Sequence, residues 1–348
     1  MQPSVKHARS TRCSSREAGF PAELEVELAA KPNVARVLVE GGDYSNPIDA
    51  MNDRDKWCDV PSLSLTDSCQ LLIGPGTFPL AEPLNLPDKF DVLGAVNTCS
   101  QRTELVAQSG VDAAIQLVGV GAGERFAISD LRVRNRGGAN GNARGIWALE
   151  PDENGFDSTI RNVSVEVSGG VADATTGTRV GPAALRNVEV SVNGGSNAVG
   201  ISTRCGDGAD VRVAVEAFDA QSSTGWGEAS DCGTEVVQFD VSVRGPNSIG
   251  MRFNTMDSAE LSEGTVVAGG IGIAIAGGTH LRNLRVAAST AIQCLFCDST
   301  LLDNIHVPDS ETALDLGRQF FSVQVTDSTL FGEILVPADP FNIAALPH

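Results

Sequence analysis

The chain has 348 residues, 42% of them hydrophobic and 20% charged, with 37 glycines and a formal net charge of −19. That mixture excludes a disordered polar chain and supplies enough apolar material for a large core. No stretch approaches the ~20 apolar residues of a membrane helix, and the acidic balance argues against a nucleic-acid partner.

Residues 1–20 read as a disordered basic tail. Lys6, Arg9, Arg12 and Arg16 are accompanied by no acid within the first sixteen residues. The tail lacks the apolar stretch of a secretion signal. Either a signal has been removed, or export follows another route, or the protein is not exported.

Residues 21–110 read as an N-terminal cap with the first strands. Val34 to Gly42 is a strand and turn. Asn46-Pro-Ile-Asp-Ala-Met51 is an N-cap followed by proline at the first helical position and a short helix. Leu71-Leu-Ile-Gly-Pro-Gly-Thr-Phe78 and Phe90-Asp-Val-Leu-Gly94 follow.

Residues 111–348 carry a repeat. An alternating strand (Val163-Ser-Val-Glu-Val167, Val188-Glu-Val-Ser-Val192, Val211-Arg-Val-Ala-Val215, Phe239-Asp-Val-Ser-Val243) is followed by a small-residue corner such as Asn193-Gly-Gly195. A second strand then opens on Gly145, Gly200, Gly250, Gly272, Ala291 or Ala313. Alternation puts the β-branched residues on one face. Successive first strands, marked by Val133, Val165, Val190, Val213, Val241, Val267, Val286 and Val307, recur at irregular steps of 19 to 32 residues. This is the signature of a β-solenoid, whose open end needs a cap against edge pairing. The helix at 46–51 supplies one. Leucine-rich repeats share the period but not the Leu/Asn pattern, and a sandwich would not return corner, glycine and strand in fixed order.

At these residues the chain resembles the right-handed parallel β-helix proteins of the pectin lyase-like superfamily. The N-terminal run Val…Gly-Gly-Asp-Tyr…Pro-Ile-Asp-Ala-Met…Leu-Leu-Ile-Gly-Pro-Gly-Thr-Phe…Val-Leu-Gly carries the likeness, which covers roughly residues 34–336. It implies an all-β, right-handed parallel β-helix with a short N-terminal capping helix. It does not imply one activity, because that superfamily hosts lyases, hydrolases, esterases and non-catalytic surface proteins.

Stacking of coils bears on the eight cysteines. Counted from Gly200 and Gly227, Cys205 and Cys232 are equivalent positions in successive coils. Strands stack ~4.8 Å apart, within disulfide reach, so a Cys205–Cys232 bridge is expected. Two stacked thiols are the alternative. Cys58 and Cys69, on either side of a polar loop, form a second expected pair. Cys294 falls on the inward alternation and reads as a core residue rather than a partner of Cys297. An even cysteine count suits an oxidising compartment.

The motifs of the superfamily's enzymes are missing. There is no Arg-x-Pro-x-x-Arg, no Gly-His-Gly and no Asp-Asp pair of the hydrolases. Leu316-Gly-Arg-Gln-Phe320 matches the pectinesterase pattern in three positions only. Gly-x-Ser-x-Gly and His-Glu-x-x-His are absent too.

What remains is the outward face of the second strand, at the second and fourth positions after the opening glycine. It collects Trp147, Arg204, Asp231, Arg252, Asn254, Gln293 and Asp315. Arginine and an exposed tryptophan grip sugars through hydrogen bonds and stacking, and Asp231 between arginines is the candidate general base. A solvated, charge-paired face is the plain alternative. Asp152, Asn154 and Asp157 form an acidic turn whose oxygens could hold calcium; it also reads as a structural turn, and no other cofactor is implied. The leading functional reading is a secreted or surface module, extracellular or periplasmic. It presents a polar face to a polysaccharide or to neighbouring protein chains without catalysis. A divergent polysaccharide lyase or glycoside hydrolase is the second reading, and a fibre or assembly subunit the third.

Overall fold

The structure, a computed structural model, describes residues 33–60, 63, 67–95, 102–118, 125–137, 142–148, 158–169, 174–217, 222–230, 233–245, 247–255, 259–297, 299–317, 319–320 and 322–336. The tail at 1–20 lies outside them. The described strands form two long sheets of 16 and 12 strands. In both, every strand pairs in parallel with its counterparts one turn of chain before and after. The chain is therefore a parallel β-helix.

Each coil contributes one long, bent strand to the larger sheet (sheet 1) and one shorter strand to the other (sheet 2). In sheet 1, Thr159–Ser168, Ala184–Asn193, Asp207–Glu216, Thr234–Arg244 and Ala259–Ala268 lie side by side. Val133, Val165, Val190, Val213, Val241, Val266 and Val286 stack in one column. Val266 takes the place expected for Val267, which points outward and is 44% exposed.

The bend in each long strand is made by one residue in the left-handed region. Asp130, Asn162, Asn187, Asp210, Gln238, Glu263, Asn283, Asn304 and Asp327 all have φ between 47° and 60°. Asn and Asp tolerate this backbone best, since their short side chains bond locally. Here they also bond each other. The Asn162 amide donates to Asp130 Oδ1 at 2.8 Å, the Asn187 amide to Asn162 Oδ1 at 3.0 Å, and the Asn304 amide to Asn283 Oδ1 at 2.8 Å.

Sheet 2 stacks on a glycine column: Gly145, Gly177, Gly200, Gly225, Gly250 and Gly272. A Cβ on any of these would stand 2.2–2.4 Å from a valine methyl of sheet 1 and 2.4–2.6 Å from the carbonyl oxygen of the next coil. The two sheets approach too closely there for a side chain. Gly225, not Gly227, is the partner of Gly200, because Val199 and Ile201 pair with Thr224 and Trp226. The count from Gly227 therefore starts two residues late; Asp231 and Cys232 themselves lie outside the described residues.

The helix Pro47–Asn52 forms as the sequence indicates. Asn46 Oδ1 accepts from the Ile48 amide at 2.8 Å, and Pro47, Ile48, Ala50 and Met51 are buried. It packs on the first strands, Val34–Val37 and Cys69–Ile73. Trp57 bonds the Ala50 carbonyl at 2.9 Å and meets Phe90 edge-on, ring centroids 5.8 Å apart. Cys58 and Cys69 are bonded, as expected, with Cα atoms 5.8 Å apart.

Two further cysteine expectations need comment. Cys294 is bonded to Cys297, with Cα atoms 5.7 Å apart. The reading of Cys294 as an unpartnered core residue is corrected: a bulge places both cysteines inward, each 1% exposed. Cys205 is disulfide-bonded, whereas Cys232 lies outside the described residues.

Candidate functional site: the outer face of sheet 2

The register of sheet 2 defines one outward column running Gln116, Trp147, Arg179, Ser202, Gly227, Arg252, Ala274, Gln293 and Asp315. Four of the expected residues, Trp147, Arg252, Gln293 and Asp315, belong to it. Asn254 lies in a neighbouring column with Ala276 and Phe296. Arg204 follows the strand Asn197–Thr203, at the corner. Asp231, and the calcium candidates Asp152, Asn154 and Asp157, lie outside the described residues.

The column is mostly polar but interrupted by Gly227 and by Ala274, which is buried. At its N-terminal end, the Arg144 guanidinium sits 3.9 Å from the centroid of the Trp147 ring and the Arg179 guanidinium 4.7 Å from it. Cation–π attraction of this kind fixes both arginines against the indole. Burial draws the Arg144 guanidinium below its usual value; Asp112 opposes the shift and Arg179 reinforces it. Two like charges are thus held together over one aromatic ring.

Asn135 positions this cluster. It is 1% exposed, and its amide donates to the carbonyls of Val111 at 3.1 Å, Asp112 at 3.2 Å and Arg144 at 2.9 Å. Its own Oδ1 accepts from the Gly137 amide at 2.8 Å. One buried side chain therefore ties the corner of one coil to the strand Ala143–Ala148 of the next.

The C-terminal end differs. Gln293 donates to Asp315 Oδ2 at 3.2 Å, and Asp315 Oδ1 accepts from the Gly317 amide at 3.0 Å. Arg252 and Asn254 are exposed on one strand. Phe296 is 60% exposed.

Sequence reasoning missed Arg144, Arg179 and Phe296. Arg179 is the second residue after Gly177, so recognising Thr175-Thr-Gly-Thr-Arg179 as a repeat strand would have found it. Arg144 lies one residue before the column glycine and reaches Trp147 along its own strand, three residues on. Phe296 depends on the bulge, which alternation does not anticipate.

A second charged cluster lies on sheet 1. Arg134 bonds Glu104 at 2.9 Å and Glu166 at 2.8 Å, and Arg132 pairs with both acids. Burial pushes the Glu166 carboxyl up, but the hydrogen bonds from Arg132 and Arg134 outweigh it and hold it below the usual range. Its charges satisfy each other, as structural ion pairs do. Among the described residues, no group of three His, Cys, Asp or Glu side chains is arranged to hold a metal ion. None of their helices is long and apolar enough to cross a membrane.

No protein-family model matches the chain. No curated protein matches it. Among solved structures it is similar to ORF18 of Geobacillus virus E2, at 10% identity and a TM-score of 0.48, over 88% of this chain. The chain spans 63% of the length of that viral protein. It is also similar to the A-module of the Azotobacter vinelandii mannuronan C-5 epimerase AlgE4, at 12% identity and a TM-score of 0.31, over 78% of this chain and 91% of that one. A third is the N-terminal fragment of bacteriophage Phi29 gene product 12, at 8% identity and a TM-score of 0.22, over 76% and 67%. The fold stands on the strand pairing described above, and the resemblance to the pectin lyase-like superfamily is consistent with it.

Proposed function

We propose that the protein is a secreted or cell-surface β-helix module that holds a polysaccharide, or a neighbouring protein chain, against the outer face of sheet 2 without cleaving it. The observation that carries this reading is the Arg144–Trp147–Arg179 cluster. Its guanidiniums rest on the indole, and Asn135 fixes the strand beneath them through the Arg144 carbonyl, so two cations are held together on a rigid sheet. Preorganised donors on a flat face suit a long ligand that lies along the stack. The bonded pairs Cys58–Cys69 and Cys294–Cys297 support an oxidising location.

The test is incubation with neutral and acidic polysaccharides, with calcium and with chelator. Retardation in affinity gels is read beside new reducing and unsaturated ends. Retardation without new ends is expected. No retardation by any polymer overturns the reading for glycans. New ends overturn the non-catalytic assignment and make the protein a divergent lyase or hydrolase, with Asp231 the first residue to replace.

A further inference from the structure

We infer that Phe296 is the stacking platform of a subsite for a neutral saccharide at the C-terminal end of the same face. The inference rests on the reading above and adds the ligand class. A lone exposed phenylalanine is ordinary on a protein surface; the backbone beneath this one is not. The strand Thr290–Cys297 pairs Ile292 with Ile273 and Cys294 with Ile275, but the next pair is Phe296 with Ala276. Leu295 is inserted as a bulge. Strict alternation would turn Phe296 inward, to join the core. The bulge turns it out, to 60% exposure. The disulfide Cys294–Cys297 brackets the inserted residue, with both cysteines buried. A covalent clamp thus holds an aromatic ring in solvent.

The surroundings fit a sugar. Ala276, the neighbour of Phe296 in its column, is small and leaves the flank of the ring open, and exposed Asn254 follows. Gln293 and Asp315 stand in the adjacent column, already joined at 3.2 Å. An aromatic ring beside amide and carboxylate groups matches the apolar face and hydroxyl rim of a pyranose. Trp147 cannot play this part on the face that Arg144 covers. The ligand here is neutral because the charges nearest the ring offset each other, Asp315 in the adjacent column and exposed Arg252 two strands away, about 10 Å at ~4.8 Å per strand, while Arg179 and Arg144 lie five and six strands away.

Calorimetric titration with cellohexaose, xylohexaose, chitohexaose and an oligogalacturonate tests this on the wild type, Phe296→Ala, Phe296→Trp, and the Cys294→Ala, Cys297→Ala double variant. The wild type is expected to bind a neutral oligosaccharide. Phe296→Ala should weaken that binding about tenfold, Phe296→Trp should keep it, and the double variant should weaken it although the ring is present. Neutral binding untouched by Phe296→Ala, or binding of the oligogalacturonate alone, overturns the subsite and leaves the polysaccharide reading standing. Absence of binding to every probe overturns both. Should the double variant fail to fold, the two Phe296 substitutions decide.

Discussion

The carbonyl oxygen of Gly225 lies 2.5 Å from the point where a Cβ on Gly200 would stand, and a methyl of Val213 lies 2.3 Å from the same point. One contact comes from the next coil and the other from the facing sheet, so the glycine column records how closely the coil is wound. Gly200→Ala should destabilise the protein by about 3 kcal/mol, because a backbone carbonyl cannot step aside. Gly227→Ala, where the nearest atom is Thr224 Cγ2 at 3.6 Å, should be almost neutral. Urea unfolding of the two variants makes the comparison; equal losses would contradict the stacking argument.

The left-handed bend residues allow a sharper test of side chain against backbone. Asn187 has φ of 51° and bonds Asn162. Asn187→Ala should cost about 1–2 kcal/mol, since alanine is strained in that conformation and the hydrogen bond is lost. Asn187→Gly should recover much of the loss by relieving the strain alone. Thermal unfolding of both variants reads the difference. An alanine variant as stable as the glycine variant would mean that the bend is not strained.

Cys58–Cys69 ties the region of the capping helix to the strand Cys69–Ile73 of sheet 1. Its closed loop is short, so loss of the bond should lower stability by about 2–3 kcal/mol. Cys69→Ala should also weaken the near-ultraviolet signal of Trp57, whose ring rests on Phe90. Scanning calorimetry with and without reductant, together with peptide mapping of Cys205, measures this. A Cys205–Cys232 peptide would establish the pairing expected from sequence.

Asp91 gives a pH dependence of defined sign. It is 5% exposed, and Ser68 Oγ donates to its Oδ2 at 2.5 Å. Burial raises its carboxyl above the ordinary 3.8, against the Ser68 hydrogen bond and the Arg125 charge. The folded protein therefore keeps a proton that the unfolded chain has released. Stability is fully present below pH 3.8 and falls as pH rises through the folded value. Asp91→Asn should remove this fall, so the two unfolding curves, measured across acid to neutral pH, should diverge upward in pH. Curves that stay parallel would exclude Asp91 as the source.

Much of this fold could be read from particular residues. The valine alternation of 163–167, 188–192 and 211–215 marked the long strands, and Asn46-Pro47 marked the helix. What was misread depended on register. Gly227 was taken for Gly225 because both lie in a Gly-Trp-Gly run, and only strand pairing distinguishes them. Val267 was taken for Val266 because adjacent valines look alike to an alternation rule. The bend residues passed unnoticed because Asp, Asn, Gln and Glu alternate at that place; a shared backbone conformation links them, not a shared residue. At the site, Trp147 was visible but its arginines were not, since Arg144 reaches it from three residues earlier on the same strand and Arg179 from the next coil.

The central claim is that the outer face of sheet 2 is the binding surface. Affinity electrophoresis of an Arg144→Ala, Arg179→Ala double variant tests it most directly, beside Arg244→Ala, whose partner Glu216 lies 3.0 Å away on sheet 1. The sheet 2 variant should lose retardation by the polysaccharide that retards the wild type, with its fold retained by circular dichroism. The sheet 1 variant should run as the wild type does. Retardation undiminished in the sheet 2 variant, or lost only in Arg244→Ala, would place the binding surface elsewhere on the coil.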